Sequence, residues 1–221
     1  MKERFDLIVF DWDGTLMDSV AKIVNCFRAA LDDVGLAPLS EEAIRHIIGL
    51  GLSEAVERLL PAADRDTREQ VVARYREHFL RLDATHMPLF PGVIEGLQQL
   101  SGAGFRLAVA TGKARRGLRR VLDGSAIAHL FCATRCADEA LSKPHPRMLH
   151  DILAATGLPA ERALMVGDTT YDLQMAQAAG MASLAVSYGV HSRAHLLEHN
   201  PLACLDSFIE VCRWLEPRRA A

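Results

Sequence analysis

The 221-residue sequence has no apolar run close to the roughly 18 residues that a bilayer-spanning helix needs. That absence argues against a helical membrane protein. Met1-Lys2-Glu3-Arg4 leads straight into the first apolar segment without a signal-peptide core, so a cytoplasmic location is expected. Neither charge sign dominates: 25 Lys+Arg against 28 Asp+Glu leave a net −3, which offers no pull toward nucleic acid or an acidic membrane. Lysine is scarce, confined to Lys2, Lys22, Lys113 and Lys143. Cysteine is few and odd in number. Cys26, Cys132, Cys136, Cys204 and Cys212 are scattered through apolar segments, which favours reduced core thiols over disulfides or a zinc site. Internal repeats and low-complexity tracts are missing too. Half of the residues are apolar, enough for one large domain or one domain carrying an insertion.

The chain is organised around Leu7-Ile8-Val9-Phe10-Asp11-Trp12-Asp13-Gly14-Thr15. Four apolar residues read as a strand buried on both faces, ending abruptly in two carboxylates and a glycine. In open α/β sheets ligands bind beyond the carboxyl ends of strands, and residues i and i+2 of extended chain point the same way. Asp11 and Asp13 can therefore address one ligand. Asp11, ionised at neutral pH, can attack an electrophile unaided, while Asp13 can act as acid toward a leaving group and as base toward water. Two carboxylates about 4 Å apart repel by roughly 4 kcal/mol at an effective dielectric of 20, so a cation is expected nearby.

Helical spacing follows: Ser19 to Gly35, Ser40 to Ile48, Ser53 to Leu60, and a fourth helix from about Asp66 with Val71, Val72, Tyr75, Phe79 and Leu82 on one side. No strand pattern interrupts this block. Residues 16–88 thus read as an all-helical module inserted into something else. Beyond Gly92 strands and helices alternate, with strands at Leu107–Ala110, Phe131–Cys136, Ala163–Val166 and Ser183–Val186, and a final strand and helix within Leu202–Leu215. Alternation of this kind predicts an α/β fold, a parallel sheet with helices on both faces. The tail from Pro217 is expected to fray.

Three of these strands end in polar residues: Asp11 with Asp13, Thr111, and Asp168, with Asp172 four residues further on. In a parallel sheet those ends share one edge. Hard cations such as Mg²⁺ favour a few carboxylate oxygens together with substrate phosphate, so the pattern suggests magnesium and a phosphoryl group. Thr111 and the Gly112 amide, opening a helix, suit phosphate oxygens. Lys143, stiffened by Pro144 and Pro146, would bring a positive charge.

In this order, Asp11-Trp12-Asp13-Gly14-Thr15-Leu16, Thr111-Gly112, Lys143-Pro144 and Gly167-Asp168 with Asp172 resemble the four motifs of the haloacid dehalogenase superfamily. More narrowly, the chain is similar to phosphoglycolate phosphatase-like members with a helical cap after the first motif. The resemblance implies a Rossmann-like core of residues 1–15 and 89–221, a cap of residues 16–88, and a Mg²⁺-dependent phosphomonoesterase acting on a small phosphorylated metabolite, phosphoglycolate first among candidates. It implies that Asp11 is a nucleophile forming an aspartyl-phosphate, that Asp13 is general acid and base, and that Thr111 and Lys143 hold the phosphoryl group. Asp11, the Asp13 carbonyl and Asp168 would bind Mg²⁺, with Asp172 in support. Trp12 stands where Phe or Leu is usual, its side chain expected to point away from the site.

A phosphomutase or pyrophosphatase of the same superfamily, and a phospho-accepting signalling module without turnover, are the alternatives; a monomer or homodimer is expected. Phosphonate cleavage would require a cap lysine, and Lys22 is the only one between residues 16 and 88. Arg45, His46 and Ser53 are candidates for cap specificity. Lys113, Arg115, Arg116, Arg119 and Arg120 read as a solvated helix face, Gly49-Leu50-Gly51 as a bend, and His145, His191 and His195 as loop or turn residues.

Overall fold

The computed structural model describes residues 5–216; the tail expected to fray, residues 217–221, lies outside them, as do residues 1–4. Six parallel strands, β1 (Leu7–Phe10), β2 (Arg106–Thr111), β3 (Phe131–Cys136), β4 (Ala163–Gly167), β5 (Ala182–Val186) and β6 (Cys204–Leu205), pair in the order β3-β2-β1-β4-β5-β6. β1 is central: Phe10 pairs with Val109 on one side and Val166 on the other. The chain order reverses across β1, and such a switch point is where an α/β sheet opens a crevice at its carboxyl edge.

Ten α-helices complete the described chain: α1 (Val20–Asp33), α2 (Glu41–His46), α3 (Leu52–Leu59), α4 (Arg65–Glu77), α5 (Val93–Gly102), α6 (Arg115–Asp123), α7 (Arg147–Thr156), α8 (Thr170–Ala178), α9 (Arg193–Leu197) and α10 (Phe208–Leu215). Period-two alternation assigns them to faces. Ile8, Phe10, Val109 and Val166 pack with Leu97 of α5 and Phe208 and Val211 of α10. Leu7, Val9, Ala108 and Met165 pack with Met148 and Ile152 of α7 and Met175 of α8. Both faces are covered, which is why these strands read as unbroken apolar runs.

Helices α1 to α4 bury a separate cluster that includes Val24, Phe27, Leu31, Ile44, Val56 and Val71. Tyr171 of α8 packs into that cluster, and its hydroxyl donates to the His46 carbonyl at 2.9 Å, joining the helical layer to the sheet layer. No described helix is long and apolar enough to cross a membrane.

Local capping moved several expected boundaries. Gly51, not Ser53, sits at the start of α3, its amide donating to Ser142 Oγ at 2.8 Å. α4 opens at Asp64, whose carboxylate accepts from the Thr67 amide. One π-helical turn, His78–Leu82, continues α4; the wider Asp83 N to His78 O bond rotates the register and leaves Leu82 in solvent instead of on the apolar side. α9 has five residues, too short for periodicity to show, and it places His195 in a helix rather than a loop. All five cysteines are free, as expected, but Cys132 is exposed.

Candidate active site

The chain leaves β1 with the Asp11 amide still donating to Val166 O, so Asp11 is fixed by the sheet itself. Trp12 turns away into the core, fully buried and edge-on to Phe131. Leu16 and Met17 amides both return to the Trp12 carbonyl, and Gly14, at φ +86°, makes the reversal possible. A side chain at Gly14 would meet Asp168 Oδ2 at 2.2 Å, so the same glycine lets the first loop lie against the end of β4. The Thr15 hydroxyl closes that contact, donating to Asp168 Oδ1 at 2.6 Å, and the Val190 amide donates to Oδ2 at 2.9 Å.

Asp11, Asp168 and Asp172 converge, offering oxygens that all lie within 4.8 Å of one another. Lys143, fully buried, places Nζ 2.7 Å from Asp11 Oδ1 and 2.6 Å from Asp172 Oδ1. Asp172 Oδ2 accepts from the amide and hydroxyl of Thr169, which locks it at the start of α8. Three carboxylates thus gather near one ammonium that pairs with two of them, and the imbalance shows in their acidity. Burial pushes Asp11 well above the usual carboxylate range, Lys143 opposes that rise, and Asp172 and Asp168 add to it. Asp168 is pushed up to about 7, chiefly by burial and then by Asp172. Burial alone would lower Lys143, but Asp11 and Asp172 reverse that and hold it protonated. Asp11 Oδ2 is buried without a hydrogen-bond donor among the described residues. Hard oxygen donors, excess negative charge and an unpartnered carboxylate oxygen fit a small divalent cation.

Asp13 faces elsewhere. Its Oδ1 accepts from the Ser19 hydroxyl at 2.7 Å and its Oδ2 pairs with Lys113 Nζ at 2.9 Å. Ser19 holds the expected cap position of α1, yet its side chain serves Asp13 instead of the helix amides. Asp11, Asp13, Thr111 and Gly112 all line a cavity of about 590 Å³ between the sheet edge and helices α1, α3 and α4, whereas Lys143, Asp168 and Asp172 stand behind it. Gly112 is the tightest point of that closure: a Cβ there would lie 2.4 Å from Gly49 O and 2.6 Å from Leu50 O. Gly49-Leu50-Gly51, expected to be a bend, thus also forms the seam between the two layers.

Of the helical-layer candidates, Ser53 lines the cavity. Arg45 and His46 sit on the opposite side of that seam, Arg45 Nη2 reaching Gly189 O at 3.5 Å and the His46 ring stacking on His191 at 5.3 Å. Lys113 is a correction to the solvated-face reading: it precedes α6, its side chain is 7% exposed, and its ammonium lies 4.8 Å from the Phe79 ring centroid. Arg115 is also engaged, with Glu139 and Thr134, while Arg116, Arg119 and Arg120 are exposed. The rarity of lysine, which marked Lys143, would have marked Lys113 as well. Tyr75 and Phe79, read only as an apolar side of α4, also line the cavity.

Residues 8–186 match the family model of the haloacid dehalogenase-like hydrolases. The chain is 38% identical to a Dickeya dadantii protein named "Probable phosphatase IndB", covering 93% of this chain and 91% of that one. It is 34% identical to the phosphoglycolate phosphatase of Aliivibrio fischeri over 94% and 95% of the two chains. Its fold superimposes on the crystal structure of a Haemophilus somnus protein, described as a "predicted phosphoglycolate phosphatase", with a TM-score of 0.88 and 26% identity, covering 98% of this chain and all of the other. Together with the carboxylates gathered beyond β1 and β4, these likenesses place the chain among the haloacid dehalogenase-like hydrolases, in their phosphoglycolate phosphatase-like branch of phosphoric monoester hydrolases.

Proposed function

We propose that the protein hydrolyses a small phosphate monoester in two steps through an aspartyl-phosphate on Asp11, with Mg²⁺ as cofactor and the helices of residues 16–88 as a cap over the core. The observation that carries this reading is that Asp11 and Asp13, beyond the central strand, line the cavity between the layers, with Lys143, Asp168 and Asp172 behind Asp11.

In the first step an Asp11 carboxylate oxygen attacks phosphorus, the bond from phosphorus to the ester oxygen breaks, and Asp13 gives its proton to the departing alcohol. In the second, Asp13 takes a proton from water, the resulting hydroxide attacks phosphorus, and phosphate leaves Asp11 as a free carboxylate. Thr111 and the Gly112 amide hold phosphoryl oxygens at the start of α6, and Lys143 adds positive charge beside Asp11. Bound Mg²⁺, held by Asp11, Asp168 and the Asp13 carbonyl, would supply charge stabilisation to the phosphoryl oxygens. Close approach of Gly112 to Gly49 and Leu50 narrows the access of competing water on that side.

The test is phosphate release from a panel of esters with and without Mg²⁺. Phosphoglycolate comes first in that panel because the relatives bear its name. Asp11→Asn is expected to lower kcat by at least about 10³-fold and Asp13→Asn by about 10²- to 10⁴-fold. Stoichiometric phosphorylation without turnover would replace this reading with a signalling module. Transfer within glucose phosphates, without release, would replace it with a mutase.

A further inference from the structure

We infer that the alcohol half of the substrate carries a planar ring of low charge, seated against Tyr75 and Phe79, rather than a carboxylate. This rests on the phosphomonoesterase reading of the same cavity and names the class of ester it takes.

Size comes first. The cavity spans about 590 Å³ and is partly open to solvent. A phosphoryl group at Asp11 joined to a two-carbon acid fills less than half of that. The apolar part of the lining is the second point. Phe27, Tyr75 and Phe79 form a ladder of rings, with centroids 4.4 Å apart for the first pair and 5.7 Å for the second, the latter at an interplanar angle of 25°. Ile23, Ile48 and Leu50 continue it as an apolar surface. Such a wall favours an offset-stacked ring over a charged chain.

Polarity supplies the third argument. Tyr75 is partly buried and lines the cavity, and its hydroxyl makes no hydrogen bond to any described residue. Burial holds the phenol in its neutral form, so it can donate to a ring substituent as well as accept. A carboxylate seated against the same rings would find no buried, unpaired cation among the lining residues. Lys113 is already paired with Asp13, Arg76 and Arg116 are exposed at the rim, and Glu54 and Asp138 add negative charge to the wall.

The experiment measures kcat/KM of the full chain for benzyl phosphate and a nucleoside 5′-monophosphate against phosphoglycolate and glycerol 3-phosphate, and calorimetric Kd values for the same esters on Asp11→Asn. At least one ring-bearing ester is expected to exceed phosphoglycolate tenfold in kcat/KM. Tyr75→Ala should cut that ratio at least tenfold and Tyr75→Phe about threefold, corresponding to loss of one hydrogen bond of modest worth. Phe79→Leu serves as second variant should Tyr75→Ala fail to fold. Phosphoglycolate equal to or better than both ring-bearing esters, or a ratio that survives these substitutions, would overturn the inference while leaving the phosphatase intact. Tighter binding of a ring-bearing ester with no turnover of any ester would instead uphold it and remove the phosphatase reading.

Discussion

Lys143 and Asp11 meet at 2.7 Å with both side chains buried, in a cluster whose other members, Asp168 and Asp172, are also fully buried. Replacing Lys143 by Met leaves three buried carboxylates without their ammonium. Removing one partner of a buried pair costs about 3–5 kcal/mol, and urea unfolding of Lys143→Met should show a loss of that order. Millimolar Mg²⁺ should recover part of it, because a ligand that binds only the folded state stabilises by mass action. A loss under about 1 kcal/mol would mean that the cluster is hydrated or protonated enough not to need the lysine.

The raised acidity constant of Asp168 sets a pH dependence with a definite sign. In the folded, metal-free protein it titrates at about 7, whereas in the unfolded chain it titrates near 4. Between those values the folded state holds the extra proton, so this group contributes stability at low pH that is lost as pH rises toward 7, on the order of 4 kcal/mol at most. Saturating Mg²⁺ should flatten that slope. Conversely, apparent Mg²⁺ affinity should fall at least about tenfold per pH unit below 7, since the cation must displace the proton on Asp168 and any held by Asp11, whose acidity constant is raised as well. Calorimetric titration between pH 5.5 and pH 8 checks both; affinity flat across that range would show that the cation displaces no proton from Asp168.

Gly112→Ala probes the seam between the layers. The added methyl would lie 2.4 Å from a backbone oxygen of Gly49, which cannot swing aside as a flexible side chain can. The helical layer must lift, and kcat/KM should drop at least about tenfold while global stability changes by no more than about 1–3 kcal/mol. Limited proteolysis should show faster cleavage near residues 49–51. Unchanged kinetics would mean that closure here does not matter to the reaction.

Lys22 is tied down. Its Nζ donates to the Asp83 carbonyl at 2.6 Å and lies 3.3 Å from the Asp83 carboxylate, anchoring α1 to the far end of the helical layer. Lys22→Met should therefore cost about 1–3 kcal/mol in thermal or urea unfolding and leave ester hydrolysis within about twofold. Borohydride trapping of a substrate adduct on Lys22 would contradict this.

Much of this arrangement was legible because its signals are local. Apolar runs ending at Asp11, Thr111 and Asp168 marked strand ends, and a parallel sheet brings strand ends together whatever their separation in sequence. Lys143 stood out by rarity and by its prolines. Periodicity, however, says which residues share a face and not what that face meets. Tyr75 and Phe79 therefore read as apolar without their cavity being visible, and the partners of the two cap candidates Arg45 and His46, Gly189 and His191, are seen only in the fold. Ser19 looked like a helix cap because its position is one; only the fold shows the hydroxyl spent on Asp13. The π-helical turn after α4 left no sequence trace and reversed the expected side of Leu82.

The central position of β1 also orders events at the ribosome. Leu7 pairs with Arg106 and with Ala163, so the strand bearing Asp11 is made first yet waits for both neighbours. The four helices that follow it carry their own apolar cluster and can collapse meanwhile. The nascent chain therefore exposes an unzipped Leu-Ile-Val-Phe ribbon through much of its synthesis, and chaperone capture should concentrate on those four residues until β4 has emerged.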